Sequence, residues 1–266
     1  MPAAPPSCAL HRIESGAGTA LWRALDWDSA QFGFAAARLE QLQPAGSDEE
    51  LPATMRALLQ VALEDCHAAG VRYLTARVAV ADLPLIHALE GSGFELIDGI
   101  QTLSMQLGGK NFSMPAGVRL FEPADLEAVL EIARSAFVYD RFHADGSLPR
   151  GAGDRVNEAW TQNCCLGSAA DAVIVAEEQG RVANYVACRL CREDSLGVIV
   201  LVATAPWAQG RGLARRATGG ALHWLALRGA AMVEVGTQLG NVPAARLYQS
   251  MGFRLARTSL TFRKLL

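Results

Sequence analysis

Two segments of this chain lying 159 residues apart repeat one another in register, and no other feature constrains the fold as tightly. Gly93-Phe94 matches Gly252-Phe253, and at the same offset, without a gap, Gly70 meets Gly229, Val78 meets Thr237, Pro84 meets Pro243 and Leu96 meets Leu255. Helix, strand, helix and strand recur in that order, the mark of a duplicated architecture. With 266 residues, 51% of them hydrophobic, the chain can bury two cores of ordinary size. The stretch Lys110-Asn111-Phe112-Ser113-Met114-Pro115-Ala116-Gly117 carries turn formers between two strand-like segments. It sets the expected boundary: an N-terminal domain over 1–114 and a C-terminal domain over 115–266.

The second half is the more readable. A strand is expected from Val118 to Phe121, then a helix opening at Pro123-Ala124-Asp125 with apolar positions Leu126, Val129, Leu130 and Ile132. A long polar connection through Arg150 follows and is a candidate substrate loop. Beyond it the patterning gives a helix over 156–165 and strands over 172–177, 183–191 and 197–204, joined by turns at Gln179-Gly180 and Glu193-Asp194. These strands form an antiparallel meander. A helix over 213–228, a strand over 232–237, a helix over 243–251 and a strand over 253–263 close the chain.

Chemistry concentrates where the third meander strand turns into a helix, in Ala205-Pro206-Trp207-Ala208-Gln209-Gly210-Arg211-Gly212-Leu213-Ala214. Gly210 and Gly212 let the backbone bend and come close to a ligand. Successive amides at a helix N-terminus can then point at one anion, with Arg211 and Arg215 adding positive charge, an arrangement that suits a pyrophosphate. Taken alone, this is also how an ordinary glycine turn before a helix reads. After the next strand comes Asn241-Val242-Pro243-Ala244-Ala245-Arg246-Leu247-Tyr248-Gln249-Ser250-Met251-Gly252-Phe253, the pattern N-x-x-A-x-x-L-Y-x-x-x-G-F.

The two motifs, in this order and one helix and one strand apart, resemble the GNAT superfamily of acetyl-CoA-dependent N-acetyltransferases over about Val118 to Leu266. The resemblance implies an α/β (α+β) fold of tandem GNAT-like domains, each a mixed, mostly antiparallel sheet flanked by helices, with the N-terminal copy degenerate. It implies acetyl-CoA as cosubstrate, its pyrophosphate held by the amides of Gln209, Gly210, Arg211, Gly212, Leu213 and Ala214. The pantetheine and acetyl group would lie along Leu201, Val202 and Ala203. Asn241 and Ala244 would meet the CoA arm, and the hydroxyl of Tyr248 would act as general acid on the departing thiolate. Tyr248 alone would read as a core aromatic. Leu89 stands where the second half has Tyr248, and Ala53 where it has Gly212. The first half is therefore expected to be structural, or to wall one side of the acceptor cleft.

No acidic residue lies in Val198–Ala205, so the general base is not evident; Glu193, Asp194 and Glu234 read as solvated surface carboxylates. Leu25-Asp26-Trp27-Asp28-Ser29-Ala30-Gln31-Phe32-Gly33, Asp140-Arg141-Phe142-His143 and Thr237-Gln238-Leu239-Gly240-Asn241 resemble bacterial acetyltransferases of the 4-amino group of a dTDP-linked 4-amino-4,6-dideoxygalactose. That resemblance implies a small-molecule amine acceptor on a dTDP-amino sugar, and a homodimer. The alternatives are another small amine, a peptide N-terminus, or a non-catalytic acetyl-CoA-binding module.

A formal net charge of −3 offers no general attraction to nucleic acid. Met1-Pro2-Ala3-Ala4-Pro5-Pro6 lacks the basic start and apolar stretch of a secretory signal, and the longest apolar run, around 198–205, is far short of the roughly 20 residues of a membrane span. A cytoplasmic location without membrane insertion is expected. Cys188 and Cys191 share C-x-x-C spacing, but a strand points positions i and i+3 to opposite faces, so no metal is expected there.

Overall fold

A computed structural model describes residues 10–47 and 50–266. The lead-in Met1–Pro6 and Cys8 lie outside the described residues. The chain packs as two compact units that are not contiguous in sequence: residues 1–100, 144–149 and 258–266 form the first, residues 101–143 and 150–257 the second. The division differs from the expected boundary at 114/115. Residues 101–114 pack with the second unit, and the last nine residues complete the first unit's sheet.

In the first unit, β1 (Leu10–Ser15) and β2 (Gly18–Ala24) make a hairpin, and β2 pairs antiparallel with β3 (Ala36–Pro44). Between β2 and β3 the segment around Trp27 forms a short helix, α1 (Asp26–Phe32), ended by the left-handed Gly33. β3 runs parallel to β4 (Tyr73–Ala79) through only four pairs, Ala36–Leu39 against Tyr73–Ala76. The crossover between them is α2 (Leu51–Ala68), whose Met55, Leu58, Leu59, Ala62, Leu63 and Cys66 recur at helical spacing and are buried. Then α3 (Leu83–Gly91) leads into β5 (Glu95–Gln106). Trp22 is buried in this core, and its Nε1–H donates to Asp65 at 2.7 Å.

The second unit opens with β6 (Val118–Leu120), a 3₁₀ turn (Pro123–Asp125) and α4 (Leu126–Ala136). The polar connection that follows is not featureless. It holds one short helix, α5 (Arg141–Ala144), and α6 (Ala152–Cys165) begins four residues earlier than the apolar pattern marks, because its first turn is built from Gly153 and charged residues. The strands β7 (Ala172–Glu178), β8 (Arg181–Cys191) and β9 (Leu196–Thr204) form the antiparallel meander. Next come α7 (Leu213–Leu227), β10 (Met232–Gln238), α8 (Val242–Ser250) and β11 (Arg254–Leu265). β9 and β10 are parallel through four pairs, Leu196–Ile199 against Met232–Val235. No helix among the described residues is long and apolar enough to cross a membrane.

The internal repeat is therefore structural as well as sequential. β4 and β10, and α3 and α8, share their boundaries at the 159-residue offset. Asp82 caps α3 by accepting from Leu85 N at 3.2 Å, and Asn241 caps α8 by accepting from Ala244 N at 3.2 Å. One local difference stands out. α2 begins at Leu51 and runs straight through Ala53, whereas at the equivalent positions the second unit has a glycine turn and starts α7 a turn later.

Residues 144–149 join the first unit through one carboxylate. Asp145, whose side chain is fully buried, accepts from the Tyr73 hydroxyl at 2.7 Å, from Ser147 Oγ at 2.6 Å and N at 3.0 Å, and from Arg263 at 3.3 Å. Burial pushes its pKa up, but the hydrogen bonds from Ser147 and Tyr73 and the Arg263 charge outweigh that and hold it below its ordinary 3.8. Since removing one partner strands a buried charge, Asp145→Ala should cost about 3–5 kcal/mol in urea unfolding. A carboxylate with a depressed folded pKa stabilises above its unfolded value. The advantage of wild type over Asp145→Asn should thus be full at neutral pH and fade as pH falls below 3.8.

Candidate functional site

The second unit's site begins where β9 and β10 part. Their pairing stops at Ile199 opposite Val235, and the β8–β9 register shifts at the same place, with Cys188 opposite Ile199 and Ala187 opposite Leu201, so that Val200 is left over as a bulge. Leu201, Val202 and Ala203 consequently pair with β8 alone, opposite Ala187, Val186 and Tyr185. Their edge toward β10 has no strand partner, and a ligand that is itself amide-like can supply the missing hydrogen bonds.

Past this fork the chain makes a 3₁₀ turn (Pro206–Ala208), leaves Gln209 extended, and passes through Gly210 and Gly212, both left-handed at φ 76°. Only glycine adopts that conformation without a steric penalty. Gly212 is the N-cap of α7 and offers no side chain to the helix, so the first amides of a 15-residue helix stay uncapped by any side chain. Gln209, Gly210, Arg211 and Gly212 are exposed, Ala214 is half-buried, and Leu213 is anchored in the core. Of the two arginines expected to add positive charge, Arg211 lies 3.3 Å from Glu178 and Arg215 donates to Ser250 Oγ at 2.8 Å, tying α7 to α8.

On α8 the expected residues have separate local duties. Asn241 Oδ1 accepts from Ala244 N, so these two positions form the helix cap. Tyr248 is buried, edge-on to Phe253 with ring centroids 5.8 Å apart, and its hydroxyl makes no hydrogen bond among the described residues. Burial alone drives its pKa far up, so the phenol keeps its proton throughout the neutral range.

The acidic candidates fare differently from expectation. Glu234 is not a solvated carboxylate: its side chain is 14% exposed and is gripped by Arg257 through bonds of 2.6 and 2.7 Å. The hydrogen bond from Arg257 lowers its pKa against the opposing effect of burial. Glu193 and Asp194 sit in the β8–β9 turn at the closed end of β9, roughly 25 Å from the fork's tip at about 3.3 Å per residue.

The α4–α6 connection, expected as a candidate substrate loop, holds a side-chain cluster around Asp140 and His143, which stand at i, i+3 spacing. His143 Nδ1 lies 2.8 Å from Asp140 Oδ2, and its Nε2 lies 3.0 Å from Asp154 Oδ1. Asn157 Nδ2 donates to the same Asp140 oxygen at 2.9 Å. The other oxygen accepts from the backbone N–H groups of Phe142 and His143.

The chain is similar to several known proteins. Residues 126–253 match the family model described as "Acetyltransferase (GNAT) family". The spore coat polysaccharide biosynthesis protein SpsD of Bacillus subtilis is 36% identical over 132 residues, 50% of this chain and 45% of that protein. The dTDP-fucosamine acetyltransferase of Escherichia coli O6:H1 is 26% identical over 185 residues, 69% of this chain and 78% of that protein. A mycothiol acetyltransferase of Streptomyces bingchenggensis is 30% identical over 153 residues, 56% of this chain and 47% of that protein. The chain thus aligns with about half the length of two of these three relatives. In fold, it is similar over 98% of its length to 84% of a tandem GNAT protein from the clavulanic acid biosynthesis pathway, with a TM-score of 0.62 at 17% identity.

The cap on α8 can be separated from any contact that the Asn241 amide makes with a ligand. Asn241→Ala should lower stability by about 0.5–2 kcal/mol in urea unfolding, while Asn241→Asp, which retains the accepting oxygen, should stay near wild type.

Proposed function

From the GNAT acetyltransferase domain at residues 126–253, we propose that the chain is an acetyl-CoA-dependent N-acetyltransferase acting on the primary amine of a nucleotide-linked amino sugar. The fork between β9 and β10, running straight into an uncapped, glycine-hinged helix start, is the observation that carries this reading. Its unpaired edge at Leu201, Val202 and Ala203 suits the amides of a pantetheine arm. The exposed turn from Gln209 to Ala214 suits a diphosphate, which the amides and the helix dipole attract.

Acetyl-CoA brings an activated thioester, and the protein's part is to orient, polarise and protonate. A primary amine attacks the carbonyl carbon directly, its placement supplying much of the rate. Backbone N–H groups at the bulge near Val200 can polarise the carbonyl oxygen as negative charge develops there. As the C–S bond breaks, the electron pair goes to sulfur, and Tyr248 delivers the proton. Its deep burial without a hydrogen-bond partner supports this role, since the phenol is protonated at neutral pH and has nothing else to bond.

A dTDP-4-amino sugar as acceptor is supported by the likeness to dTDP-fucosamine acetyltransferase, over more than two thirds of either chain. The likeness to mycothiol acetyltransferases favours a second reading, another small amine in the same cleft. The first unit lacks both the glycine turn and the phenol, having α2 in place of one and buried Leu89 in place of the other, and is assigned a structural role. The reading includes a homodimer in the cytoplasm.

Incubation with acetyl-CoA and a panel of dTDP-amino sugars, followed by free thiol, should show release with a 4-amino-4,6-dideoxy sugar; release only with peptides or polyamines would refute the sugar assignment. Tyr248→Phe should retain acetyl-CoA affinity by calorimetry and lose about 10²–10⁴-fold in turnover. Unchanged turnover would remove Tyr248 from its role.

A further inference from the structure

An amine reaches a neutral site as an ammonium, and one proton must leave before its nitrogen can attack. Glu234 is locked to Arg257, and Glu193 and Asp194 lie at the wrong end of β9. We propose that His143, oriented by Asp140, is the general base, and that His143 Nε2 and Asp154 together form the notch that receives the acceptor's ammonium. The proposal rests on the acetyltransferase reading above.

Topology puts the cluster at the open end of the fork. β6 runs from the level of Ala176 to that of Ile174, which is also the level of Val186 and Val202, so the chain heads toward the closed end of β9 before α4 turns it back. This helix runs about 16 Å across β8 and β9 and packs against the 3₁₀ turn Pro206–Ala208, which follows the tip of β9. The connection carrying Asp140 and His143 leaves from there. α6 then returns toward the closed end, where Asp171 N donates to Cys188 O. Its Asp154, Asn157 and Thr161 fall on one face. Asn157 holds Asp140, and about 10 Å further along the helix from Asp154, Thr161 Oγ1 lies 2.7 Å from the hydroxyl of Tyr185, the strand partner of Ala203.

The two edges of the ring are not alike. The Nδ1 edge faces Asp140, 12% exposed and tied by Asn157 and two backbone N–H groups, which fixes the ring's orientation and favours the proton on Nδ1. The Nε2 edge faces Asp154, which is 56% exposed. Beneath the ring lies Gly153, where a Cβ would come within 2.7 Å of the imidazole, so the ring sits directly on the backbone of α6. A half-buried carboxylate, an oriented imidazole and a second edge that faces an exposed carboxylate make up a base.

Among the described residues, Asp140 from its own turn and Asp154 from α6 are charged groups that face His143. Burial pulls its pKa down, but the hydrogen bonds to Asp154 and Asp140 outweigh that and raise it above 6.5. At low pH a proton bridges Nε2 and Asp154. Once that proton is gone, an ammonium can take its place, donating one N–H to Nε2 and another to the carboxylate. The N–H bond to Nε2 breaks, the electron pair stays on the amine nitrogen, and the resulting imidazolium lies between two carboxylates until it releases the proton to solvent.

The test is the pH dependence of kcat/KM with dTDP-4-amino-4,6-dideoxygalactose, together with the imidazole nitrogen resonances of His143. Wild type should show an acid limb above pH 6.5, and Asp154→Asn should move it to lower pH by removing the larger raising influence. His143→Gln should abolish the limb and reduce kcat about 10²–10⁴-fold, with acetyl-CoA affinity by calorimetry unchanged. An unmoved limb in His143→Gln overturns the proposal. The resonances should report a neutral form protonated on Nδ1 and titrating above 6.5; a proton on Nε2 instead would leave no lone pair at the open edge and would overturn it without any acceptor. Failure of wild type to acetylate the sugar, with normal acetyl-CoA binding, would refute the acceptor assigned above, and the nitrogen resonances would still decide the role of His143.

Discussion

Everything in the second unit depends on two parallel strands that stop pairing after four residues. Had β9 and β10 continued beyond Ile199 and Val235, their backbone groups would have satisfied one another and left nothing for a ligand. The bulge at Val200 helps them part, since an extra residue on β9 turns that strand while its far edge remains paired to β8. The crossover helix α7 then has to start at the tip of the fork. The two left-handed glycines ahead of it make the turn without placing a side chain over the helix's first amides.

The first unit shows how little separates a fork from a site. β3 and β4 also part after four pairs, and α3 is capped like α8. With Leu51 and Ala53 at the positions of Gly210 and Gly212, the chain has no reason to leave helical geometry, so α2 starts three residues earlier than α7 does at the 159-residue offset. The same backbone plan survives in both units, and local conformational freedom at two positions distinguishes them.

The order of elements was legible because helical and strand periodicities are strong in this apolar sequence, and the turn after β9 could be singled out because its glycines have a distinctive spelling. Other features were not legible. Asp145 reads as a loop residue beside Gly146, and only the fold reveals that Tyr73 and Arg263, 72 and 118 residues away, meet it in a core. Glu234 reads as a strand's solvent-facing carboxylate until Arg257 from β11 is seen to cover it. The imidazole of His143 belongs to a motif that could be picked out, but the partner on its open edge comes from α6, whose polar first turn hid the helix start. Contacts between residues far apart in sequence leave no periodic trace, and these sites are made of such contacts.

The last strand, which completes the first unit's sheet beside β4, carries its own consequence. β11 pairs with β4 from Ser259 opposite Ala79 to Leu265 opposite Tyr73, and Phe262 is among the largest side chains in that core. During synthesis on the ribosome, the opening hundred residues therefore wait with one flank of β4 bare until the final segment emerges. A chain made this way folds its later part before it can seal its earlier one, and ribosomes that stall or terminate early release an exposed strand edge of the kind that invites aggregation.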